Sequence, residues 1–253
     1  MSARVRWLWV AGLGLALTIM GAAAPAALRH VDAFRVRAVE VHGTRYLEPD
    51  AVVSASGVSR ESSLFDDPTA WHDALLAHPL IAEVRIARRA PRTLIIHVTE
   101  SEPVALARTP ELRPVDARGR LLPITTGLAE LDVPVLGRAP KVDDDVVIDD
   151  ATRFTLAGLA RLRALQPELW GWVSEAYAGT SHMRLVLRGP ARAEMLVALP
   201  VEADRLRDVR AVLGDLAASD PGALDRLARI DARFHDQVLV SLHNATARGR
   251  EVR

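Results

Sequence analysis

Apolar and polar positions follow three successive rhythms along this chain. From Trp7 to Leu28 no residue is charged. A helix of roughly 22 residues, rising about 1.5 Å per residue, matches the ~30 Å hydrocarbon layer of a bilayer, so this stretch predicts one transmembrane helix over 7–28. Short segments then alternate between a period of two and a period of three to four, the signatures of strands and helices packed on one another. Val39 and Val41 flank Glu40 ahead of Gly43, which reads as a strand closed by a turn. A helix is predicted from Pro49 with Val52 and Ala55 on one face. A second follows Asp67-Pro68, where a carboxylate can cap free amides and the fixed φ of proline suits the first helical position; Trp71 and Leu75 share its apolar face and Pro79 ends it. Val84 and Ile86 flank Arg85, and after the turn at Ala90-Pro91, Leu94, Ile96 and Val98 form the core face of a last strand. His97 falls on the outer face of that strand. The order over 34–101 is strand, helix, helix, strand, strand.

Beyond residue 101 the pattern is longer and mixed. Pro114-Val115-Asp116-Ala117-Arg118-Gly119 predicts a strand running into a tight turn, with aspartate accepting local amides and glycine taking a positive φ. Leu156, Leu159 and Leu162 recur at helical spacing up to Pro167, and Leu206, Val209, Leu213 and Leu216 do so again. Between these helices Met183, Leu185 and Leu187, the turn Gly189-Pro190, and Met195, Val197 and Leu199 predict a β-hairpin. Val238, Val240 and Leu242 predict one face of a final strand. The fold class expected is α+β: a single N-terminal transmembrane helix, a small βααββ domain at 34–101, then a larger mixed β-sheet domain with packed helices at 102–245, and a tail at 246–253.

The flanks of the apolar segment bear on its orientation. Arg4 and Arg6 precede it and Trp7 and Trp9 suit the headgroup level, which puts residues 1–6 in the cytoplasm; Arg29, Arg35 and Arg37 follow it and oppose that assignment by the same rule. Ala22-Ala23-Ala24-Pro25-Ala26-Ala27 resembles a peptidase site, so a retained anchor and a cleaved leader both fit. Either way, everything after about residue 28 is exported. The small residues Gly14, Thr18 and Ala22 suit a helix-pairing face, as an ordinary Ala/Gly-rich span also does.

Composition narrows the chemistry. With 49% hydrophobic residues the chain can bury a core, and 32 basic residues balance 32 acidic ones, so no net field favours nucleic acid. There is no cysteine, which excludes disulfides, thiolate nucleophiles and cysteine-bound metal centres. Lys141 is the sole lysine. No serine-hydrolase elbow, zinc-protease helix, P-loop or dinucleotide fingerprint occurs, and Gly12-Leu13-Gly14 lies inside the apolar segment, out of reach of any phosphate. Asp143-Asp144-Asp145 and Asp149-Asp150 lack the alternating ligands and glycine of a calcium loop and read as a solvated loop leading into a helix. Ser62-Ser63 and Asp66-Asp67 read as turn and cap residues. The eight histidines are dispersed, with no pair at zinc-ligand spacing on a helix. No catalytic residue, cofactor or metal ligand is assigned.

Several stretches carry a family resemblance. Phe34 to Gly43 reads F-R-V-R-A-V-E-V-H-G, and His78 to Val84 reads H-P-L-I-A-E-V. Ala90 to Ala105 reads A-P-R-T-L-I-I-H-V-T-E-S-E-P-V-A, close to P-x-x-L-x-I-x-V-x-E-x-x-P-V-A. Val133-Pro134-Val135-Leu136-Gly137 is similar to a P-x-L-x-G element, and Ile230 to Phe234 to an I-D-x-R-(F/Y) element. In this order, from about Phe34 to Leu242, they resemble the bacterial cell division FtsQ (DivIB) family, with a POTRA domain of the FtsQ type at 34–101. The match thins between Lys141 and Gly179, and Pro200 stands where the family usually has glycine.

The resemblance implies a non-enzymatic divisome scaffold in the inner membrane, N-terminus cytoplasmic and bulk periplasmic, enriched at the septum, that binds FtsB-like and FtsL-like membrane proteins. It implies docking through the terminal strand, with Arg233, Phe234, Gln237, Val238, Leu239, Val240, Ser241 and Leu242 as the candidate partner-binding residues. An edge strand offers unpaired amides and carbonyls to an incoming segment, and Arg233 and Phe234 supply charge and an aromatic anchor. Read without the resemblance, Phe234 is core and Arg233 a solvated residue. The alternatives for the whole chain are a POTRA-containing chaperone or secretion component, whose relatives carry repeated units and a barrel, and a secreted hydrolase. Neither nucleic acid nor a small-molecule substrate is expected as a ligand.

Overall fold

The computed structural model describes residues 28–29, 31–124, 131–189 and 191–243. The expected transmembrane segment lies outside these apart from Leu28. Among the described residues no helix is long and apolar enough to cross a membrane. The chain divides into two compact units, Met1–Ser101 and Glu102–Arg253.

The first unit follows the predicted order: β1 (Ala38–His42), α1 (Pro49–Ser56), α2 (Thr69–Leu76), β2 (Ile81–Arg89) and β3 (Thr93–Glu100). Its three-stranded sheet runs β1-β3-β2, with β1 parallel and β2 antiparallel to β3. Leu94, Ile96 and Val98 of β3 are buried in one cluster with Val52 of α1 and Trp71 and Leu75 of α2. Helix α1 opens with Pro49 at its first turn. Helix α2 starts at Thr69, one residue later than the sequence suggests, so Pro68 is its cap rather than its first residue. The Asp67 carboxylate still accepts the Thr69 amide at 3.0 Å, because the near-helical backbone of Pro68 brings that amide within reach. Asp66 and Ser63 are likewise occupied locally: Asp66 accepts from the Ser63 amide and the Ser63 hydroxyl from that of Phe65.

One carboxylate organises the passage from β1 to α1. Glu100, at the end of β3 and only 8% exposed, accepts the amides of Arg45 and Leu47 at 2.9 Å through Oε1 and that of Tyr46 at 2.7 Å through Oε2. Just upstream, Gly43 has φ +91°, and a Cβ there would come within 2.1 Å of the Val98 carbonyl oxygen. Both features hold the β1–α1 connection against β3.

The second unit contains β4 (Pro103–Arg108), β5 (Leu112–Asp116), β6 (Val135–Leu136), β7 (Val142–Asp143), β8 (Val146–Val147), α3 (Asp150–Leu165), α4 (Pro167–Trp170), β9 (Val173–Tyr177), β10 (His182–Leu187), β11 (Glu194–Ala198), α5 (Ala203–Ser219), β12 (Leu227–Ala232) and β13 (Leu239–Leu242). Eight strands form one sheet in the order β13-β12-β11-β10-β9-β6-β4-β5. The predicted hairpin is β10–β11, paired antiparallel. Leu156, Leu159 and Leu162 of α3 and Leu206, Val209 and Leu213 of α5 pack in one cluster with the inward residues of the sheet, among them Met183, Leu185, Met195 and Ile230.

The aspartate-rich stretch departs from the loop expected there. Val142–Asp143 and Val146–Val147 pair as a two-stranded hairpin, with Asp144 and Asp145 at φ 45° and 60°. A two-residue turn of this hand needs positive φ at both positions, and aspartate tolerates it better than most residues. The carboxylates are in use: Asp145 pairs with Arg113 at 2.6 Å, while Asp149 caps α3 through the Thr152 amide at 2.9 Å.

Glu100→Ala leaves three amides without their acceptor, at an expected cost of roughly 3–5 kcal/mol to the first unit. Hydrogen exchange at Arg45, Tyr46 and Leu47 should accelerate by about a hundredfold or more; unchanged protection of these amides would show that the carboxylate is not what holds them.

Candidate docking edge

The two ends of the eight-stranded sheet are treated differently. Beyond β5 the chain folds back on its own rim. The Asp116 amide donates to the Arg120 carbonyl at 3.0 Å and the Leu122 amide to that of Pro114 at 2.8 Å. Asp116 itself accepts the Arg118 and Arg120 amides at 2.9 Å, and Gly119 has φ +85°, as the tight turn requires. The β7–β8 hairpin then covers this segment: Leu121 donates to the Asp145 carbonyl, and Val147 to that of Gly119, both at 2.8 Å. At the opposite end, β13 pairs with β12 on one side, and among the described residues no strand pairs with its other side.

Strand β13 runs antiparallel to β12, with Val240 opposite Ile230 and Leu239 opposite Asp231. Its faces are distinct. Val238, Val240 and Leu242 pack against the core, as their alternation predicts. Leu239, 47% exposed, and Ser241 lie on the face turned away from the helices. The strand begins at Leu239, so Gln237 and Val238 belong to the approach to it.

Arg233 and Phe234 leave the end of β12 and stand beside the start of β13. Phe234 is 40% exposed, which rules out its reading as a core residue. Arg233 is not simply solvated either: its Nε and Nη2 donate to the two carboxylate oxygens of Asp231 at 2.8 and 2.6 Å, and its guanidinium carbon lies 5.8 Å from the Phe234 ring centroid. Asp231 and Arg233 sit two apart in extended chain and so share a face. The hydrogen bond from Arg233 pulls the Asp231 carboxyl below its ordinary range, against the opposing effect of its burial. Next to them, a groove of about 160 Å³ is lined by Leu199, Pro200, Arg205, Arg233, Phe234 and His235.

The open face of the sheet adds residues that sequence reading did not single out. Glu194 on β11 accepts from Arg184 on β10 at 2.7 Å and from Arg229 on β12 at 2.9 Å, which holds its carboxyl low. Further along, Glu175 accepts from Tyr177 and Arg192, and the guanidinium of Arg184 stacks 3.8 Å above the Tyr177 ring. Strand alternation could mark these residues as outward-facing; their pairing requires the strand order.

Because the folded Asp231 carboxyl ionises below its unfolded value, its contribution is complete above about pH 4 and is lost as pH falls through the folded value. Asp231→Asn should therefore be less stable than the parent at neutral pH, with the gap closing toward pH 2 in urea titrations. A gap that stays constant down to pH 2 would contradict the assignment.

Comparison with known proteins places these observations. Residues 34–101 match the family model described as POTRA domain, FtsQ-type. The chain is 28% identical over 228 residues to the cell division protein FtsQ of Bradyrhizobium diazoefficiens, covering 89% of this chain and 62% of that protein. It is 32% identical over 126 residues to FtsQ of Anaeromyxobacter sp., covering 48% and 43% of the two chains. With DivIB of Geobacillus kaustophilus it shares 33% identity over 101 residues, 39% of each chain. It thus spans less than two thirds of the length of these relatives. The first unit thus matches an FtsQ-type POTRA domain, and the chain as a whole is similar to cell division proteins named FtsQ and DivIB.

Proposed function

We propose that this protein is a non-enzymatic scaffold of the bacterial division machinery, held in the inner membrane by residues 7–28, and that its β13 edge receives a segment of an FtsB-like partner associated with an FtsL-like protein. The observation that carries this reading is the asymmetry of the sheet. A rim of unpaired peptide groups invites edge-to-edge association and is commonly covered or blunted. Here the β5 rim is wrapped by the chain itself, whereas β13 offers its outer side.

An added strand would satisfy the β13 backbone, while its alternate side chains meet Leu239 on the open face and the groove beside Phe234. Exposed aromatic and arginine side chains next to such a rim are the residue types that most often anchor an interface. The names of the relatives support a role in cell division. By the same family likeness, the POTRA unit contributes to recruitment at the septum. The apolar stretch 7–28 supports single-pass insertion with the N-terminus cytoplasmic and the bulk of the chain periplasmic.

Successive amides of an edge strand point alternately inward to β12 and outward. Single proline substitutions at Leu239, Val240 and Ser241 should therefore fall into two classes. Where the amide points outward, capture of the FtsB-like protein in a pull-down should drop at least about tenfold while the thermal midpoint is kept; where it points inward, both should fall. Full capture by a folded protein bearing proline at an outward position would refute strand addition. Depleting the protein in its source bacterium should give filaments lacking septal FtsB-like and FtsL-like proteins, and normal division would refute the cellular role.

A further inference from the structure

Two histidines separated by 55 positions in sequence meet on the open face of the POTRA sheet. His42 ends β1, His97 lies in β3, and the parallel register sets them directly opposite one another. Their rings stack with centroids 5.1 Å apart and planes inclined by 22°. Both are exposed, His42 with 56% of its side chain accessible. On the same face, the Glu40 carboxylate lies 4.0 Å from His42 Nε2 and is itself paired with Arg89. Arg85 of β2 stands opposite His97 on its other flank, with Glu83 one pleat further along.

We propose that His42 and His97 chelate a divalent transition-metal ion, bridging β1 and β3. Directly opposite positions on neighbouring strands bring the two imidazoles into contact, and turning each stacked ring so that one nitrogen faces a shared ion at about 2.0–2.1 Å would convert the pair into a bidentate site. The ladder fixes the two Cα positions, so binding requires rotation about side-chain bonds and little movement of the backbone. Among the described residues no group of three histidine, cysteine, aspartate or glutamate side chains is placed to hold a metal ion. The site therefore has two protein ligands, and water fills its remaining positions.

Glu40 has an orienting part. A carboxylate beside a ligating imidazole biases which ring nitrogen carries the proton and so which one faces the ion. An imidazole pair selects Zn2+ or Cu2+ over the oxygen-preferring Mg2+ and Ca2+. The inference is independent of strand addition at β13, since it concerns the other unit.

The test uses the full chain without an affinity tag, in detergent, titrated calorimetrically with Zn2+ and separately with Mg2+. One Zn2+ should bind per chain, with no matching Mg2+ isotherm. His42→Gln and His97→Gln should each weaken the Zn2+ affinity at least about tenfold, as losing even an outer partner of a metal ligand typically does. Zn2+ should also raise the thermal midpoint of the parent and not that of His97→Gln, because an ion that binds the folded state alone stabilises it. Absence of saturable Zn2+ binding, parental Zn2+ affinity in either histidine variant, or a midpoint shift in His97→Gln equal to the parent's would each overturn the proposal. The other six histidines cannot mimic the expected result, since both substitutions leave them in place.

Discussion

An open sheet ends in two rows of peptide groups that need partners, and the layout of the second unit can be traced to how each row is handled. At β5, Asp116 and Gly119 turn the chain back so that residues 120–122 bond to the strand they have just left. The β7–β8 hairpin is then laid over that return, and Asp149 starts α3 immediately after it. The shielding of one rim thus delivers the long helix to the core face. Leu156, Leu159 and Leu162 then fill the space that α5 closes from the other side. Both helices occupy one face, and the other carries the ladder of Arg184, Glu194 and Arg229, which fixes side chains across three neighbouring strands up to the one beside β13.

A comparable economy operates in the POTRA unit, where a single carboxylate replaces what would otherwise be several separate hydrogen-bond partners. Glu100 satisfies three successive amides from a strand end more than fifty residues away in sequence. An isolated charge would be costly at that depth; three short donors compensate it. Anchoring the exit from β1 in this way also keeps β1 in parallel register with β3, and that register is what brings His42 to His97.

The elements legible in the sequence were those with a clean period and one buried face. Leu94, Ile96 and Val98, the leucines of α3 and the β10–β11 hairpin all belong to that class. Strand β9 was missed for a physical reason: its fully buried positions are Val173 and Ala176, three apart, because a bulge opposite Leu187 breaks the alternation. In β4, five consecutive buried residues leave no alternation to read. The β7–β8 hairpin was hidden because its strands are two residues long and its turn uses aspartates in a left-handed conformation. At the β13 edge, the face carried by Val238, Val240 and Leu242 was readable from spacing. That Asp231 clamps Arg233 follows from the I-D-x-R spacing once the segment is extended, whereas the Glu194 ladder depends on a strand order that no local pattern encodes.

Strand β13 is the last described element of the chain, and it lies next to β12, where Ile230 and Ala232 are fully buried. Proteolytic clipping ahead of Leu239 would not abolish the rim; it would move the vacancy one place inward, onto a strand whose sequence is suited to the interior. The shortened protein would then present a longer and greasier border than the intact one, apt to pair with whatever extended segment is nearby. A border suited to one partner would thereby become an indiscriminate one.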